Sequence, residues 1–281
     1  MKSFRTAGPV PGSTSLPSGL PPAANICHAI EKRSACDEKY RGGDVFEVVA
    51  ASRYSTLLLA DVSSKGTLSL EHTEIIRRRF RDAVWNERSP ARILEILNGV
   101  VLDDENNPDR VTFASAIVAT FDRESPALTY SSAGHDIGLI IRGNAHQHLV
   151  PSGPVLGVIP AAAFFDRSES FDSDASLIVA TDGFTECREP SRSLRQFGTT
   201  GIVRAAMSTS RGSCSSIARA IALSADRFTS TIYRDDATLA VIARPRNWRT
   251  TAPPPQRSRR GSSSSGLRVP ARQSSLPPER A

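Results

Sequence analysis

The chain has 281 residues, 39% of them hydrophobic, and a formal net charge of +6. This length allows one large domain or two small ones. The charge is uneven: from Arg246 to the end there are eight arginines and one glutamate, so this tail carries +7 and the rest −1. A nearly neutral body without a recognisable binding motif excludes the basic folded surface of nucleic-acid-binding domains, and we expect no binding to nucleic acid.

Both ends have the composition of unfolded segments. Residues 7–23 and 251–281 consist mostly of Pro, Gly, Ser and Arg. They offer little to bury, so ordering them would cost more entropy than it returned. We therefore predict a disordered segment over 1–24, one folded domain over 25–245, and a disordered basic tail over 246–281.

The sequence lacks the features of secreted and membrane-spanning proteins. The N-terminus has no apolar core of a signal peptide, and no apolar run approaches the roughly 20 residues that a spanning helix needs. The cysteines show neither CxxC nor zinc-like spacing, and we expect reduced thiols. They are Cys27, Cys36, Cys187 and Cys214. We predict a cytoplasmic protein that does not contact the membrane.

The first predicted elements are two strands and two helices. Residues 45–62 predict two strands around a turn at Ala51–Tyr54, and the second strand is a continuous apolar run that ends at Asp61. A helix follows whose apolar residues recur on one face. They are Ile76, Phe80, Ala83 and Val84. Ser89 and Pro90 predict the N-cap and first position of a second helix.

Strands dominate the second half of the chain. Residues 111–122 and 127–133 predict strands that flank a tight turn, and residues 136–150 predict a hairpin that turns at Gly143-Asn144. Another apolar strand ends at Asp182, a helix is predicted over 214–228, and a last strand begins at Asp235-Asp236. This order predicts an α+β domain with helices outside mostly antiparallel sheets.

Four aspartates share one pattern, because each adjoins a buried strand at a turn. They are Asp44, Asp61, Asp182 and Asp235. Carboxylates at strand ends suit hard divalent cations, which take oxygen ligands. One such residue means little, since aspartate is common in turns. Four of them, spread over about 190 residues, predict a metal site.

The stretch RGGDVFEV, Arg41 to Val48, has a second interpretation. It differs by a residue or two from the Gly-Gly-Asp/Glu-Glu-Phe turn of diguanylate cyclases. A cyclase needs a sizeable folded segment before that turn, whereas only about 40 residues precede it here, half of them rich in Pro, Gly and Ser. The cyclase interpretation also leaves Asp182 and Asp235 without a role, and we set it aside.

Several motifs occur in order over residues 41–243. They are GGDVFEV, LLLADVSSKG, LTYSSAGHDIGLIIR, GPVLGV, LIVATDGFTECREP, FG and DDATLAVI. The combination of TDGFTE with an upstream AGH and a downstream DDAT is specific. It resembles the PPM metal-dependent Ser/Thr phosphatases, in their SpoIIE/RsbU-like bacterial branch. The resemblance implies a four-layer α-β-β-α sandwich of two mostly antiparallel sheets flanked by helices.

The resemblance also implies the ligands of two or more Mn²⁺ or Mg²⁺ ions. They are Asp61 as the bridging residue, the carbonyl of Val62, Asp182 and Asp235, with Asp44 acting directly or through water. Asp235 is preferred to Asp236 because neighbouring residues of a strand point to opposite faces. No side chain is arranged as a nucleophile, so a metal-activated water would attack the phosphoryl group.

Two further residues are candidates for contact with substrate. Lys65 lies in the turn after Asp61, where a solvated side chain is the alternative. His135 belongs to the AGH motif, where an architectural role near the site is the alternative.

The predicted function is hydrolysis of phosphoserine or phosphothreonine in a phosphoprotein. By resemblance to the branch alone, the substrate would be an anti-sigma-factor antagonist in a partner-switching pathway. The alternative is a catalytically inactive pseudophosphatase that acts as a binding module. Ala60 and Ser64 depart from the family's GDVSGKG-like turn and favour this alternative, whereas the complete set of four aspartates disfavours it.

Overall fold

A computed structural model describes residues 26–38, 42–51, 53–63, 67–103, 113–190, 195–209 and 212–246. The chain begins with strands β1 (Cys27–Arg33), β2 (Asp44–Ala51) and β3 (Tyr54–Val62), then helices α1 (Thr67–Asn86) and α2 (Pro90–Leu102). Six strands follow: β4 (Ala114–Asp122), β5 (Ala127–Ala133), β6 (Gly138–Arg142), β7 (Ala145–His148), β8 (Arg167–Ser170) and β9 (Ala175–Ala180). The last elements are α3 (Asp182–Thr185), α4 (Gly198–Met207), α5 (Cys214–Thr229) and β10 (Ala237–Ala243).

The strands form two five-stranded antiparallel sheets. Sheet I has the order β2-β3-β4-β5-β8, and sheet II has the order β1-β10-β9-β6-β7. Every pair of neighbouring strands in both sheets is antiparallel. All of the described residues belong to one compact unit. The predicted boundaries at 24/25 and 245/246 stay predictions, because residues 1–25 and 247–281 lie outside the described ranges.

Three apolar clusters separate four layers. The cluster between the two sheets includes Leu57, Leu59, Ile117, Leu177 and Ile242. A second cluster joins sheet I to α1 and α2 and includes Leu58, Phe80, Leu94 and Val118. The third joins sheet II to α4 and α5 and includes Ile178, Ile202, Ile217 and Val241. The predicted α-β-β-α sandwich is confirmed.

The sequence of strand β3 is continuously apolar because both faces of the strand are buried. Leu57 and Leu59 face the space between the sheets, while Leu58 and Ala60 face the helices. A strand that is covered on both faces has no solvent side, so the usual alternation of polar and apolar residues disappears. The first polar side chain after this run is Asp61, which lies at the edge of the sandwich.

The predicted helix features agree with the structure. The four apolar positions predicted for α1 are all buried. In α2, the Ser89 side chain accepts a hydrogen bond from the backbone N–H of Arg92, and Pro90 occupies the first helical position. Among the described helices, none is long and apolar enough to cross a membrane.

Four elements were not predicted: β1, β8, α3 and α4. Among the described strands, β1 pairs only with β10 and β8 pairs only with β5, so both are edge strands with exposed polar residues. Helix α4 begins with the sequence GTTG, which disfavours a helix. Burial of Ile202, Ala205 and Ala206 against the third cluster overrides that weak propensity.

A buried arginine closes the end of the sandwich that lies away from Asp235. Arg244 directly follows β10 and is only 2% exposed. Its Nε donates to the carbonyl of Phe171 at 2.7 Å, and its Nη2 donates to the carbonyl of Ser125 at 2.6 Å. Burial lowers the pKa of this guanidinium to about 10, so it stays charged at neutral pH. The side chain thus joins β10 to the β4–β5 turn and to the residue that follows β8.

We expect Arg244→Met to destabilise the fold by about 3 kcal/mol, because buried carbonyls would lose charged donors. The melting temperature should fall by roughly 6–12 °C. Urea denaturation and thermal melts measure both quantities. Arg219→Met on the exposed face of α5 is the control, with an expected change within about 0.5 kcal/mol. Equal stabilities of the two variants would contradict this role of Arg244.

Candidate metal centre

The predicted acidic positions meet at one edge of the sandwich. Asp44 begins β2 and lies opposite Asp61, near the end of β3, in the antiparallel register. Asp182 follows β9, and Asp235 precedes β10, which pairs with β9. Because antiparallel neighbours run in opposite directions, the end of one strand and the start of the next lie at the same edge.

Thr181 joins the two sheets at this edge. Its Oγ1 donates a hydrogen bond to Asp44 Oδ2 at 2.9 Å and accepts one from the backbone N–H of Thr238, also at 2.9 Å. Its own N–H donates to the carbonyl of Thr238 at 2.9 Å. The side chain is fully buried. Thr181, which follows a strand of sheet II, therefore orients a carboxylate of sheet I. In the sequence, only its position next to Asp182 indicated a place near the site.

Two glycines before Asp44 shape the backbone. Gly42 adopts φ = +107°, a backbone conformation that residues other than glycine rarely adopt. A Cβ on Gly43 would lie 2.7 Å from the carbonyl oxygen of Val62 and 3.2 Å from Asp61 Oδ1. The missing side chain thus leaves open the space beside two of the predicted ligands.

The carboxylate of Asp236 accepts hydrogen bonds from two distant backbone N–H groups. Its Oδ1 accepts a hydrogen bond from the N–H of Ala35 at 2.8 Å, and its Oδ2 accepts one from the N–H of Gly42 at 2.6 Å. This carboxylate therefore holds the segments before β2 in place. A Cβ on Gly183 would lie 2.1 Å from the Asp236 carbonyl oxygen, so only glycine allows this close packing. The preference for Asp235 as a ligand stays a prediction.

The carboxylates raise one another's pKa. Burial, followed by the charges of Asp182 and Asp235, raises the pKa of Asp61 to about 7. Burial and the charge of Asp61 raise the pKa of Asp44 well above its usual value, although the Thr181 hydrogen bond opposes this. Burial and the charge of Asp235 raise the pKa of Asp182 as well. At all three carboxyl groups, burial is the main cause of the raised pKa, and the charge of a neighbouring aspartate comes next.

The donor set fits hard divalent cations. The candidate ligands are oxygens only, and the repulsion among their negative charges favours the binding of cations. Within the described ranges, no three Asp, Glu, His or Cys side chains lie close enough to coordinate one ion by themselves. This spacing does not conflict with Mg²⁺, which is commonly held through one or two carboxylates and keeps several waters.

His135 lies inside the sandwich and not in an open site. It is 4% exposed, and its Nδ1 lies 3.0 Å from Oγ of Ser115, the register partner of Asp61. Burial lowers its pKa to about 4, so the ring is neutral at pH 7. This enclosure supports the architectural alternative and not the predicted contact with substrate. Lys65 and Ser64 lie outside the described residues.

An open cleft of about 480 Å³ adjoins Asp182 and Asp235. Two arginines that no sequence pattern singled out, Arg188 and Arg234, lie on its wall. Neither guanidinium forms a hydrogen bond or ion pair with a described residue. The remaining lining residues are Cys36, Asp37, Gly183, Glu186, Cys187, Ile232 and Tyr233. The cleft therefore combines an acidic edge with two cationic side chains that are available to an anion.

Comparison with known proteins gives a family match and a curated relative. The family model described as Stage II sporulation protein E (SpoIIE) matches residues 52–245. The phosphoserine phosphatase RsbU of Bacillus subtilis (strain 168) is 26% identical over 152 residues, which cover 53% of this chain and 44% of RsbU. The chain thus matches less than half the length of that relative.

Solved structures share the fold. The SiaA-PP2C domain of Pseudomonas aeruginosa superimposes with a TM-score of 0.67 at 18% identity, covering 78% of this chain and 85% of that one. The RsbU and RsbW domains of a Mycobacterium tuberculosis protein give a TM-score of 0.64 at 24% identity, covering 78% of this chain and 60% of that one. Since the family model matches well over half of the sequence and the fold agrees, the chain belongs to the SpoIIE family of PPM-type phosphatases.

Proposed function

We propose that this chain hydrolyses phosphoserine or phosphothreonine in a phosphoprotein, with two or more Mn²⁺ or Mg²⁺ ions held at the acidic edge. One observation carries the proposal: aspartates from both sheets converge at one edge, where burial and mutual repulsion raise the pKa values of Asp44, Asp61 and Asp182. The family supports it, since PP2C-type phosphatases use divalent metals.

Asp61 has the central position in this arrangement. It lies opposite Asp44 in the register, and the charges of Asp182 and Asp235 both act on it. Asp61 would therefore hold both ions, and Asp182 and Asp235 would hold one of them, directly or through bound water. The Val62 carbonyl would serve the other ion, and Asp44 would act directly or through water. Bound divalent ions would lower the pKa of water and neutralise charge on the phosphoryl oxygens.

The residues around these ligands orient them. The Thr181 hydroxyl fixes the direction of the Asp44 carboxylate, and Asp236 fixes the backbone at Gly42. Such supporting contacts commonly change metal affinity or activity 10–100-fold when they are removed. Cys187 in the cleft is unsuited to be a nucleophile, because burial raises its thiol pKa to about 12. A covalent phosphoenzyme is therefore not part of the proposal.

Arg188 and Arg234 are assigned to bind the phosphoryl group of the substrate. Both line the cleft beside Asp182 and Asp235, and a guanidinium pairs with phosphate oxygens through two parallel hydrogen bonds. An acidic edge repels an anionic substrate, so positive charge at the cleft helps to hold it. The geometry supports entry of a phosphorylated side chain through this cleft.

We also propose a substrate class: a small phosphorylated anti-sigma-factor antagonist in a partner-switching pathway in the cytoplasm. The support is the similarity to RsbU, together with a structural neighbour that contains RsbU and RsbW domains in one protein.

Asp182→Asn should abolish the hydrolysis of para-nitrophenyl phosphate that the wild-type protein shows with Mn²⁺, because a ligand carboxylate is lost. Turnover with and without Mn²⁺ measures this. Asp82→Asn, an exposed acid on α1, is the matched control and should keep full activity. If the folded wild-type protein shows no turnover with any divalent ion, the chain is a binding module and not a phosphatase.

Asp61→Asn should raise the melting temperature of the metal-free protein by roughly 3–6 °C, because it removes one charge from a repelling group. The same variant should lose the stabilisation by Mn²⁺, which in the wild-type protein amounts to about 2.7 kcal/mol at 100 times the Kd. Thermal melts in EDTA and in Mn²⁺ give both values. Equal stabilisation of both proteins by Mn²⁺ would rule out Asp61 as a ligand.

Arg188→Ala and Arg234→Ala should each raise KM for a phosphopeptide about 10-fold, which corresponds to about 1.4 kcal/mol, and change kcat less than about 3-fold. The reason is that each arginine binds the phosphoryl group in both the ground state and the transition state. Steady-state kinetics separate the two constants. Arg204→Ala, exposed on α4, serves as the control. An unchanged KM in both cleft variants would remove these residues from the binding site.

A further inference from the structure

Two cysteines that lie far apart in the sequence meet at the end of the sandwich away from the acidic edge. Cys27 is the first residue of β1, and Cys214 is the first residue of α5. Their Sγ atoms lie 2.9 Å apart, about 0.9 Å more than the length of a disulfide bond. We propose that this thiol pair is a redox site that a peroxide converts to a disulfide, independently of the phosphatase reaction.

The surroundings of the pair give its two members different roles. Cys27 is exposed and accessible to an oxidant, whereas Cys214 is buried. The hydrogen bond with Cys214 lowers the pKa of Cys27 to about 7, so a large fraction is thiolate at neutral pH. The hydrogen bond with Cys27, together with burial, raises the pKa of Cys214, which therefore keeps its proton. Cys27 is therefore the attacking thiol, and Cys214 is the thiol that resolves the intermediate.

An open cavity gives small molecules access to the pair. It has a volume of about 840 Å³, and both cysteines lie on its wall. Hydrogen peroxide can therefore reach Cys27 without any change in the packing of the sheets. The other two cysteines lie elsewhere, on the wall of the cleft beside Asp182. Of these two, Cys187 is buried, and burial raises its pKa to about 12, so it is a poor target.

Hydrogen peroxide oxidises the thiol pair in two steps. The Cys27 thiolate attacks one oxygen of hydrogen peroxide, the O–O bond breaks, and Cys27 becomes a sulfenic acid. The leaving hydroxide takes up a proton and becomes water. The Cys214 sulfur then attacks the Cys27 sulfur, and the S–S bond forms as a second water leaves. The two thiols together lose two electrons and two protons, and the peroxide is reduced to two waters.

The new bond would link the first residue of edge strand β1 to helix α5. Strand β1 pairs only with β10, and its other end is already joined to α5 by the ion pair between Arg33 and Asp226 at 2.8 Å. A disulfide at Cys27 would fasten the opposite end to the same helix. It would also close a loop of 187 residues, which restricts the unfolded chain. The expected result is a more stable protein when it is oxidised.

The acidic edge should be little affected. Cys27 pairs with Ala243 in the register, whereas Arg33 pairs with Ala237, two residues after Asp235. Six residues of extended strand separate these two ends by about 20 Å. The disulfide and the melting temperature can both be measured without catalytic activity, so this proposal does not depend on the proposed function.

The test uses the full reduced chain, treated with hydrogen peroxide and then digested without reductant. Mass spectrometry should find the Cys27 and Cys214 peptides joined, with the mass of two hydrogens lost. The melting temperature should rise by roughly 5–15 °C and return to its former value with dithiothreitol. Cys27→Ser and Cys214→Ser should both lose this rise, and Cys36→Ser should keep it. In Cys214→Ser, Cys27 should stop at the sulfenic acid, which dimedone traps.

Several results would overturn the proposal. One is a folded protein in which peroxide produces no joined Cys27–Cys214 peptide. Another is a disulfide that instead involves Cys36 or Cys187, or that links two chains. A third is a joined peptide without any rise in melting temperature, which would reject the stabilising effect. The peptide measurement is made on the wild-type protein, so poor folding of a serine variant does not affect it.

Discussion

The repulsion among carboxylates at one edge of the sandwich is the constraint on which the rest of the structure depends. Asp44 and Asp61 come from sheet I, and Asp182 comes from the end of a strand in sheet II. Bringing these like charges together in a partly buried place costs free energy, as their raised pKa values show. The apolar layers between and outside the sheets fix where the strands end, and so hold the acids together against this repulsion. Divalent cations would turn the unfavourable arrangement into a favourable one.

The two ends of the sandwich are built differently. At the acidic edge, the absence of a side chain on Gly43 leaves the Val62 carbonyl accessible. A hydrogen bond from the Gly42 N–H to Asp236 fixes the backbone beside it. At the opposite end, Arg244 joins three segments through buried hydrogen bonds. Ligand exchange requires an accessible edge, and an accessible edge contributes little packing. Stability must therefore come from the layers and from the closed end.

The cleft balances two electrostatic requirements. A phosphoprotein carries negative charge, and so does the edge at Asp182 and Asp235, so an anion would be repelled from the acids alone. Arg188 and Arg234 lie on the wall of the same cleft without ion pairs to described residues, and under the proposed function their positive charge would attract the anion. Metal ions would supply the remainder of the positive charge. The position of the four aspartates at one edge disfavours the inactive alternative, whereas Ala60 and Ser64 favour it.

The sequence by itself determined the class of fold and the acidic positions, because both have local signatures. Buried strands are apolar runs, helices repeat their apolar residues, and aspartates that end such strands lie at turns. The choice of Asp235 over Asp236 stays a prediction, because β10 begins only at Ala237 and neither aspartate lies in the strand whose alternation suggested it. Only the tertiary structure decided which distant residues meet. The Thr181–Asp44 hydrogen bond, the two arginines of the cleft and the Cys27–Cys214 pair join segments up to 187 residues apart, and nothing local marks them. Strand β1 and helix α4 escaped prediction for the same reason: pairing and packing with distant segments, and not their own propensities, give them their structure.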